Sequence, residues 1–263
     1  MSTLRVVGLG FLALLILGLA LLIINFTNYY DKYFGPTGTH LVEGYPAGFV
    51  YRGPPTRALA GYYCITNIDS SNGFSIQLDA GLDNGLGVQD AYGTFVYINN
   101  AWQTAFLDNV WSKNNNGAAV LLHASNPSND VINAPCAWLI ISIRNGVAYF
   151  GYSLDGKSIV WYDSYPVGAN YIIADGQTSF VLAGASNGEQ AQLNSVLAYI
   201  ALFYWNGTDW APAPVSVNSW LSGTVETVNH AWVYANRECG GGVVSWPSPV
   251  NVTQCPGPPN FSP

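Results

Sequence analysis

Charge is scarce in this chain. Lys and Arg number 8 and Asp and Glu 15 in 263 residues, so charged residues are 9% of the whole, against roughly 25% in ordinary soluble domains. The eight cations are dispersed, without a basic cluster, and this excludes a nucleic-acid interface, which needs several Lys or Arg gathered on one face. Histidine occurs three times, at His40, His123 and His230, far apart in the chain, and no Cys-x-x-Cys is present. Spacing therefore offers no zinc motif, and no metal or other cofactor is expected. A serine triad finds no support, because the histidines lack local context. The run Gly240-Gly241-Gly242 follows Cys239 without a strand-to-helix pattern, so it is expected to be a flexible tail element and not a phosphate loop.

Neutral polar groups and aromatics take the place of charge. There are 17 Tyr, 11 Phe and 9 Trp, with a formal net charge of −7. A surface made soluble by Asn, Ser, Thr and Tyr changes little when carboxylates protonate, which suits an acidic medium; an ordinary exported β protein with few charges accounts for the composition equally.

The one long apolar run is residues 6–26, "VVGLGFLALLILGLALLIINF", with Arg5 before it and "TNYYDKYFG" after it. Its length is that of a bilayer crossing, and Tyr29, Tyr30 and Tyr33 fit an interfacial belt. A secretory signal has a shorter apolar stretch and a small-x-small exit, so a retained signal anchor is the preferred reading and a cleaved signal the alternative. Either way the body of the protein is expected outside the cell, at the outer face of the membrane or secreted. Four cysteines in an exported chain favour disulfides. Cys239 and Cys255 bracket a Gly- and Pro-rich tail and are expected to pair, leaving Cys64 with Cys136, although the other two connectivities stay open. Sequons stand at Asn25, Asn206, Asn251 and Asn260; Asn25 lies too near the bilayer, and the other three are candidate glycosylation sites.

From residue 60 onward, β-branched and aromatic runs alternate with turn residues at short intervals, and no fixed-period repeat is present. "IQLDAGL" and "VAYFGYSL" alternate, while "AWLIISI" and "AYIALFYW" are continuous enough to be buried on both faces. The expected fold is all-β, a two-sheet antiparallel sandwich of jelly-roll or lectin-like type with an N-terminal transmembrane helix. The expected organisation is an anchor and juxtamembrane segment over 1–33, a sandwich over 34–236 and a Cys/Gly/Pro-rich arm over 237–263, with 34–58 an extended lead-in. "YIALFYW-NGT-DWAPAPV" reads as a hairpin around Asn206-Gly207 whose aromatics pair across the strands, in preference to a sugar-stacking platform.

The motifs "IQLD", "LDNVW", "VWYD", "VLAGASNG", "YWNG" and "GTVETV", in that order and spacing over most of residues 46–233, resemble those of the thermopsin family, acid-active peptidases exported by thermoacidophilic archaea. The resemblance implies export, proteolysis at low pH and no metal. Two positions depart from it: Ser179-Phe180-Val181 stands where the family has Glu-Leu-Val, and Thr94 stands where it has a Gln that Gln89 would restore in a slipped register. Its "PAGFVYRG" carries Tyr51 and Arg52 in place of the family's Asp-Tyr.

Acid proteolysis needs a carboxyl or carboxyl–amide pair around one water. The candidate acids in these motifs are Asp108, Asp163 and Glu226, and the candidate amide is Gln77, with Asp79 on the same strand face able to replace it. Asp108 and Asp163 also suit Asx-turns at strand ends. Glu226 is the preferred acid, because an acidic side chain in a β-prone run calls for a reason. The expected function is a membrane-anchored extracellular acid endopeptidase acting on peptides. The alternative is a catalytically silent surface module that binds glycans, envelope proteins or its own copies. A glycosidase on a lectin-like sandwich would need two facing carboxylates.

Overall fold

The computed structural model describes residues 38–114, 116–184, 189–218, 226–251 and 254–263. The expected anchor, residues 6–26, with Asn25 and the flanking tyrosines, lies outside them; among the described residues no helix is long and apolar enough to cross a membrane. Strands β1 (Gly38–Glu43), β2 (Ala47–Tyr51), β3 (Ala58–Ser70), β4 (Ser75–Leu82), β5 (Gly87–Ile98), β6 (Ala101–Lys113) and β7 (Ala119–Ala124) come first. A 3-10 turn at Pro127–Asn129 leads to β8 (Cys136–Arg144), β9 (Val147–Ser153), β10 (Val160–Pro166), β11 (Ile172–Ile173) and β12 (Ser179–Ala183). The long β13 (Leu193–Trp205), then β14 (Trp210–Pro212), β15 (Val215–Val217), β16 (His230–Asn236) and β17 (Gly241–Trp246) complete the series.

These strands form two antiparallel sheets, as the alternating patterns predict. The first runs β1-β16-β17-β13-β3-β8-β9-β10 with β14 beside β13, and the second runs β15-β2-β12-β4-β5-β6-β7 with β11 beside β4. Their facing sides share one core, in which Phe49, Ile76, Leu78, Tyr92, Phe106, Phe180 and Leu182 meet Leu59, Tyr63, Leu139, Ile141, Phe150 and Ile200. Each fully buried large side chain of this kind contributes about 1.5–3 kcal/mol relative to exposure. The period-two rule then sends Ser75, Gln77 and Asp79 to the opposite face of β4 from Ile76 and Leu78.

The continuous apolar runs behave as expected, because the outer face of the first sheet is covered too. Ala60, Trp138, Ile140, Phe203 and Trp210 form a second cluster there, packed against Trp205 and Phe261. Phe261 belongs to the C-terminal arm, which is held by Trp210 Nε1 donating to the Phe261 carbonyl at 2.7 Å and by Asn260 N–H donating to the Gly156 carbonyl at 2.7 Å. Trp205 and Trp210 are directly opposite in the β13–β14 pair, with rings 5.6 Å apart and tilted by 70°. Cross-strand pairing thus accounts for these aromatics.

Several details differ from expectation. Residues 34–58 contain two strands, β1 paired with β16 in the first sheet and β2 between β15 and β12 in the second, in place of a simple lead-in. Of the three glycines, Gly240 caps the 3-10 turn Arg237–Cys239 with positive φ, and Gly241 and Gly242 open β17, which lies between β16 and β13 inside the first sheet. A Cβ at Gly242 would collide with the Tyr234 carbonyl oxygen, and one at Gly241 with that of Ile200, so these glycines admit a close backbone approach. The Asn206 turn is a four-residue loop in which only Gly207 has positive φ, and the Asn206 carboxamide oxygen accepts from the backbone of Thr208 and Asp209 at 2.9 Å. Two-residue turns with both φ positive occur instead at Asn99-Asn100 and Asn145-Gly146. The disulfides are Cys64–Cys136, joining directly paired residues of β3 and β8, and Cys239–Cys255.

Candidate active site

Gln77 and Glu226, 149 positions apart in the chain, meet over the outer face of the second sheet: Gln77 Nε2 donates to Glu226 Oε2 and, at 2.9 Å, to Ser75 Oγ. The Ser75 hydroxyl in turn donates to the Gly184 carbonyl at 2.5 Å. The carboxamide is therefore oriented on both of its hydrogens, and Gln77 is almost wholly buried.

Glu226 is not in a strand, contrary to its β-prone neighbourhood; Thr224 and Val225 of that run lie outside the described residues. The backbone just beyond it fixes its place. Ala191 N–H donates to the Thr227 carbonyl at 2.8 Å, Gly44 N–H donates to the Val228 carbonyl at 3.1 Å, and Val228 N–H donates to the Tyr45 carbonyl at 3.2 Å. Backbone pairing on two sides suspends the carboxyl above β4.

A polar row runs beside this pair. Register across the sheet sets Ser216, Val50, Ser179, Asp79, Gln89 and Asn109 side by side on β15, β2, β12, β4, β5 and β6. Ser179 Oγ donates to Asp79 Oδ2 at 3.0 Å, Gln89 Nε2 donates to Asp79 Oδ1 at 2.9 Å, and Asn109 Nδ2 donates to Gln89 Oε1 at 2.8 Å. Burial pushes the Asp79 carboxyl up to about 6, a rise that the bonds from Gln89 and Ser179 limit. Burial likewise pushes Glu226 up to about 7; the Gln77 bond opposes the rise and the Asp79 charge adds to it. Two carboxyls with raised values beside an oriented amide can hold, give and recover a proton near a carbonyl.

Asp108 and Asp163 fall elsewhere. Asp108 pairs with Asp90 across β6 and β5 on the inner face of the second sheet, while Asp163 is on β10 of the first sheet. They are brought together by His123, whose Nε2 lies 2.9 Å from Asp163 Oδ2 and 3.6 Å from Asp108 Oδ2. Burial, with the Asp163 carboxylate adding to it and Ser125 offsetting a part, pushes Asp108 up to about 7. The neighbouring Asp90 is raised well above its ordinary value by burial, although Tyr162 donates to its Oδ1 at 2.6 Å and Ile140 N–H to its Oδ2 at 3.0 Å. The four sequence candidates thus separate into two pairs, Gln77 with Glu226 over the outer face of the second sheet and Asp108 with Asp163 between its inner face and β10 of the first.

Thr94 takes no part in either group; its hydroxyl bonds the Phe74 backbone just before β4. Gln89, the alternative to it, lies in the polar row. Sequence reasoning misses Ser75, Ser179 and Asn109 as functional neighbours, though period-two spacing from Gln77 and Asp79 places Ser75 on their face. It misses His123 as well, because only the fold brings that ring to the acids. Gly184-Ala185-Ser186-Asn187-Gly188 does have the spacing of a nucleophile elbow, but residues 185–188 lie outside the described residues and no helix follows them among those that are described. Of the sequons, Asn206, Asn251 and Asn260 are all exposed.

No protein-family model matches the chain, and no curated protein does. Among solved structures, a Scytalido-glutamic peptidase bound to a peptide-based transition-state analogue aligns at 8% identity and a TM-score of 0.35, covering 78% of this chain and 98% of that one. A functionally unknown protein from Saccharomyces cerevisiae aligns at 11% identity and a TM-score of 0.28, covering 70% and 90% respectively. Likenesses of that size carry no argument about chemistry, which is left to the geometry of the two groups of side chains.

Proposed function

We propose that the protein is an extracellular acid endopeptidase of thermopsin type, held at the membrane by residues 6–26, whose reacting groups are Glu226 and Gln77. The observation that carries this reading is the hydrogen bond between the two, because it joins a carboxyl of raised pKa to an amide locked by Ser75. The motif resemblance and the low charge content agree with it, and two disulfides are compatible with an extracellular protein.

Below about pH 7 Glu226 holds its proton. In the proposed reaction it gives that proton to the scissile carbonyl oxygen as water adds to the carbon, while Gln77 Nε2 bonds the same oxygen. The carboxylate takes a proton back from the added water and passes it to the amide nitrogen. The C–N bond then breaks, and the last proton returns from the new carboxylic acid to Glu226. Asp79 touches neither reacting atom; its charge sets how firmly Glu226 holds its proton, so it is a positioning residue.

The test is hydrolysis of a fluorogenic peptide by the full chain between pH 3 and 8. Removing an acid–base group costs about 100-fold to 10,000-fold, so Glu226→Gln is expected to lose at least about 100-fold with an unchanged far-UV spectrum. Wild-type turnover equal to that of Glu226→Gln refutes the peptidase reading and leaves the binding module, which the Ser179 substitution within the family pattern favours.

A further inference from the structure

We infer that Asp108, His123 and Asp163 form a binding site for one divalent transition-metal ion, of which Zn2+ is the type, clamping the edge of one sheet to the edge of the other. One ligand atom from each residue lies within 4.8 Å of the other two. The two separations from His123 Nε2, 2.9 Å to Asp163 and 3.6 Å to Asp108, bracket the edge of about 3.3 Å that tetrahedral bonds of about 2.0–2.1 Å to nitrogen and oxygen require.

Protons do not account for this arrangement as well as a cation does. Nε2 carries at most one hydrogen, and the 2.9 Å contact directs it to Asp163 Oδ2; the 3.6 Å contact to Asp108 is too long for a hydrogen bond. The Asp108 side chain is 0% exposed, and neither of its oxygens has a hydrogen-bond partner. A buried carboxylate without a donor is costly. An ion at the centre of the triangle would serve all three ligand atoms and balance two carboxylates with two positive charges.

The surroundings fit a ligand site. Asp163 Oδ1 accepts from Ser164 N–H at 2.6 Å, which leaves Oδ2 facing inward. The His123 ring stacks on Tyr165 with centroids 4.8 Å apart and planes 25° from parallel, so its orientation is fixed. Partial exposure of His123 and Asp163, 27% and 26% of their side chains, gives an ion an entry from solvent. An imidazole among the ligands favours Zn2+ and its neighbours in the first row over Ca2+ or Mg2+, which select oxygen alone. Each ligand comes from a different strand: β6 and β7 end the second sheet, and β10 ends the first. The fold, not the spacing of the sequence, assembles them, and the site stands whether or not the chain hydrolyses peptides.

The experiment strips the purified full chain with chelator at pH 7.5 and titrates ZnCl2, MnCl2 and CaCl2 against a chromophoric competitor, with thermal melting in parallel. The expected result is one equivalent of Zn2+ bound at micromolar affinity or tighter, a melting temperature raised by about 3 °C or more, weaker Mn2+ binding and no effect of Ca2+. His123→Gln and Asp163→Asn should each weaken Zn2+ binding at least tenfold while the metal-free melting temperature moves little, and His40→Gln should leave Zn2+ binding unchanged. No binding at about 100 μM Zn2+, a concentration well above a micromolar Kd, or binding unaltered in both ligand variants, would overturn the site and leave only a His123–Asp163 hydrogen bond beside a buried Asp108. A Ca2+ response equal to that of Zn2+ would overturn the class of ion.

Discussion

Gln77 has two amide hydrogens and the structure uses both, one on Ser75 and one on Glu226. If Glu226 works in its acid form, as proposed, hydrolysis should be full below about pH 6 and fall through about 7, near tenfold per unit above it, in a pH–rate profile. Asp79 offers a sharper check. Its negative charge helps to raise Glu226, so in Asp79→Asn the falling limb should move to lower pH. A limb that stays in place would show that Asp79 serves only to tie β4 to β5 and β12. Gln77→Leu should cost about 100-fold to 1,000-fold in kcat if the amide bonds the developing oxyanion, with KM little changed. Glu226 and Gln77 stand out in the sequence as polar residues in β-prone runs, yet the partner of each is invisible there. Contacts between positions 77 and 226 depend on where the Thr227–Val228 backbone is pinned by Ala191, Gly44 and Tyr45, and composition does not encode that.

At the scale of elements, strands rich in Val, Ile, Phe and Tyr are readable because their propensity and their burial agree; β8, β9 and β13 are examples. β1, β2 and β17 are not, since Gly and Pro dominate their surroundings and normally interrupt strands. In β17 the glycines serve the sheet by letting the backbones of β16 and β13 come close, so Gly242→Val should lower the melting temperature sharply or prevent accumulation of folded protein. Beyond β17 the described residues are of another kind, carrying no strand or helix but contributing the Phe261 ring to the outer cluster. That ring meets Trp138 at 6.2 Å and Trp210 at 5.8 Å, edge to face in both. Phe261→Ala is expected to destabilise by about 1–3 kcal/mol, which in a chain of this size corresponds to a few degrees per kcal/mol, and to shift tryptophan emission to the red.

For the whole molecule, the raised carboxyls predict how stability varies with pH. Glu226 and Asp79 bind protons more tightly folded, at about 7 and about 6, than their ordinary values of 4.5 and 3.8. Between those limits the folded state holds more protons than the unfolded one, so their contribution is complete below about pH 4 and is lost as pH rises toward about 7. In the presence of chelator, the wild type should melt several degrees higher at about pH 4 than at about pH 7.5, and Asp79→Asn should flatten the difference. With so few charges to repel one another in acid, nothing in the composition opposes that trend. The suitability for acid read from the scarcity of Lys, Arg, Asp and Glu and the carboxyl chemistry of the second sheet thus converge on one solution property.

β4 carries its two duties on alternate residues, Leu78 facing the core and Gln77 and Asp79 facing away. Inserting or deleting one residue within β4 would turn over the part of the strand beyond that point, driving an amide or an acid among aromatics and leaving leucine in water. Point changes along β4 can be absorbed one by one; a gain or loss of a single codon there cannot.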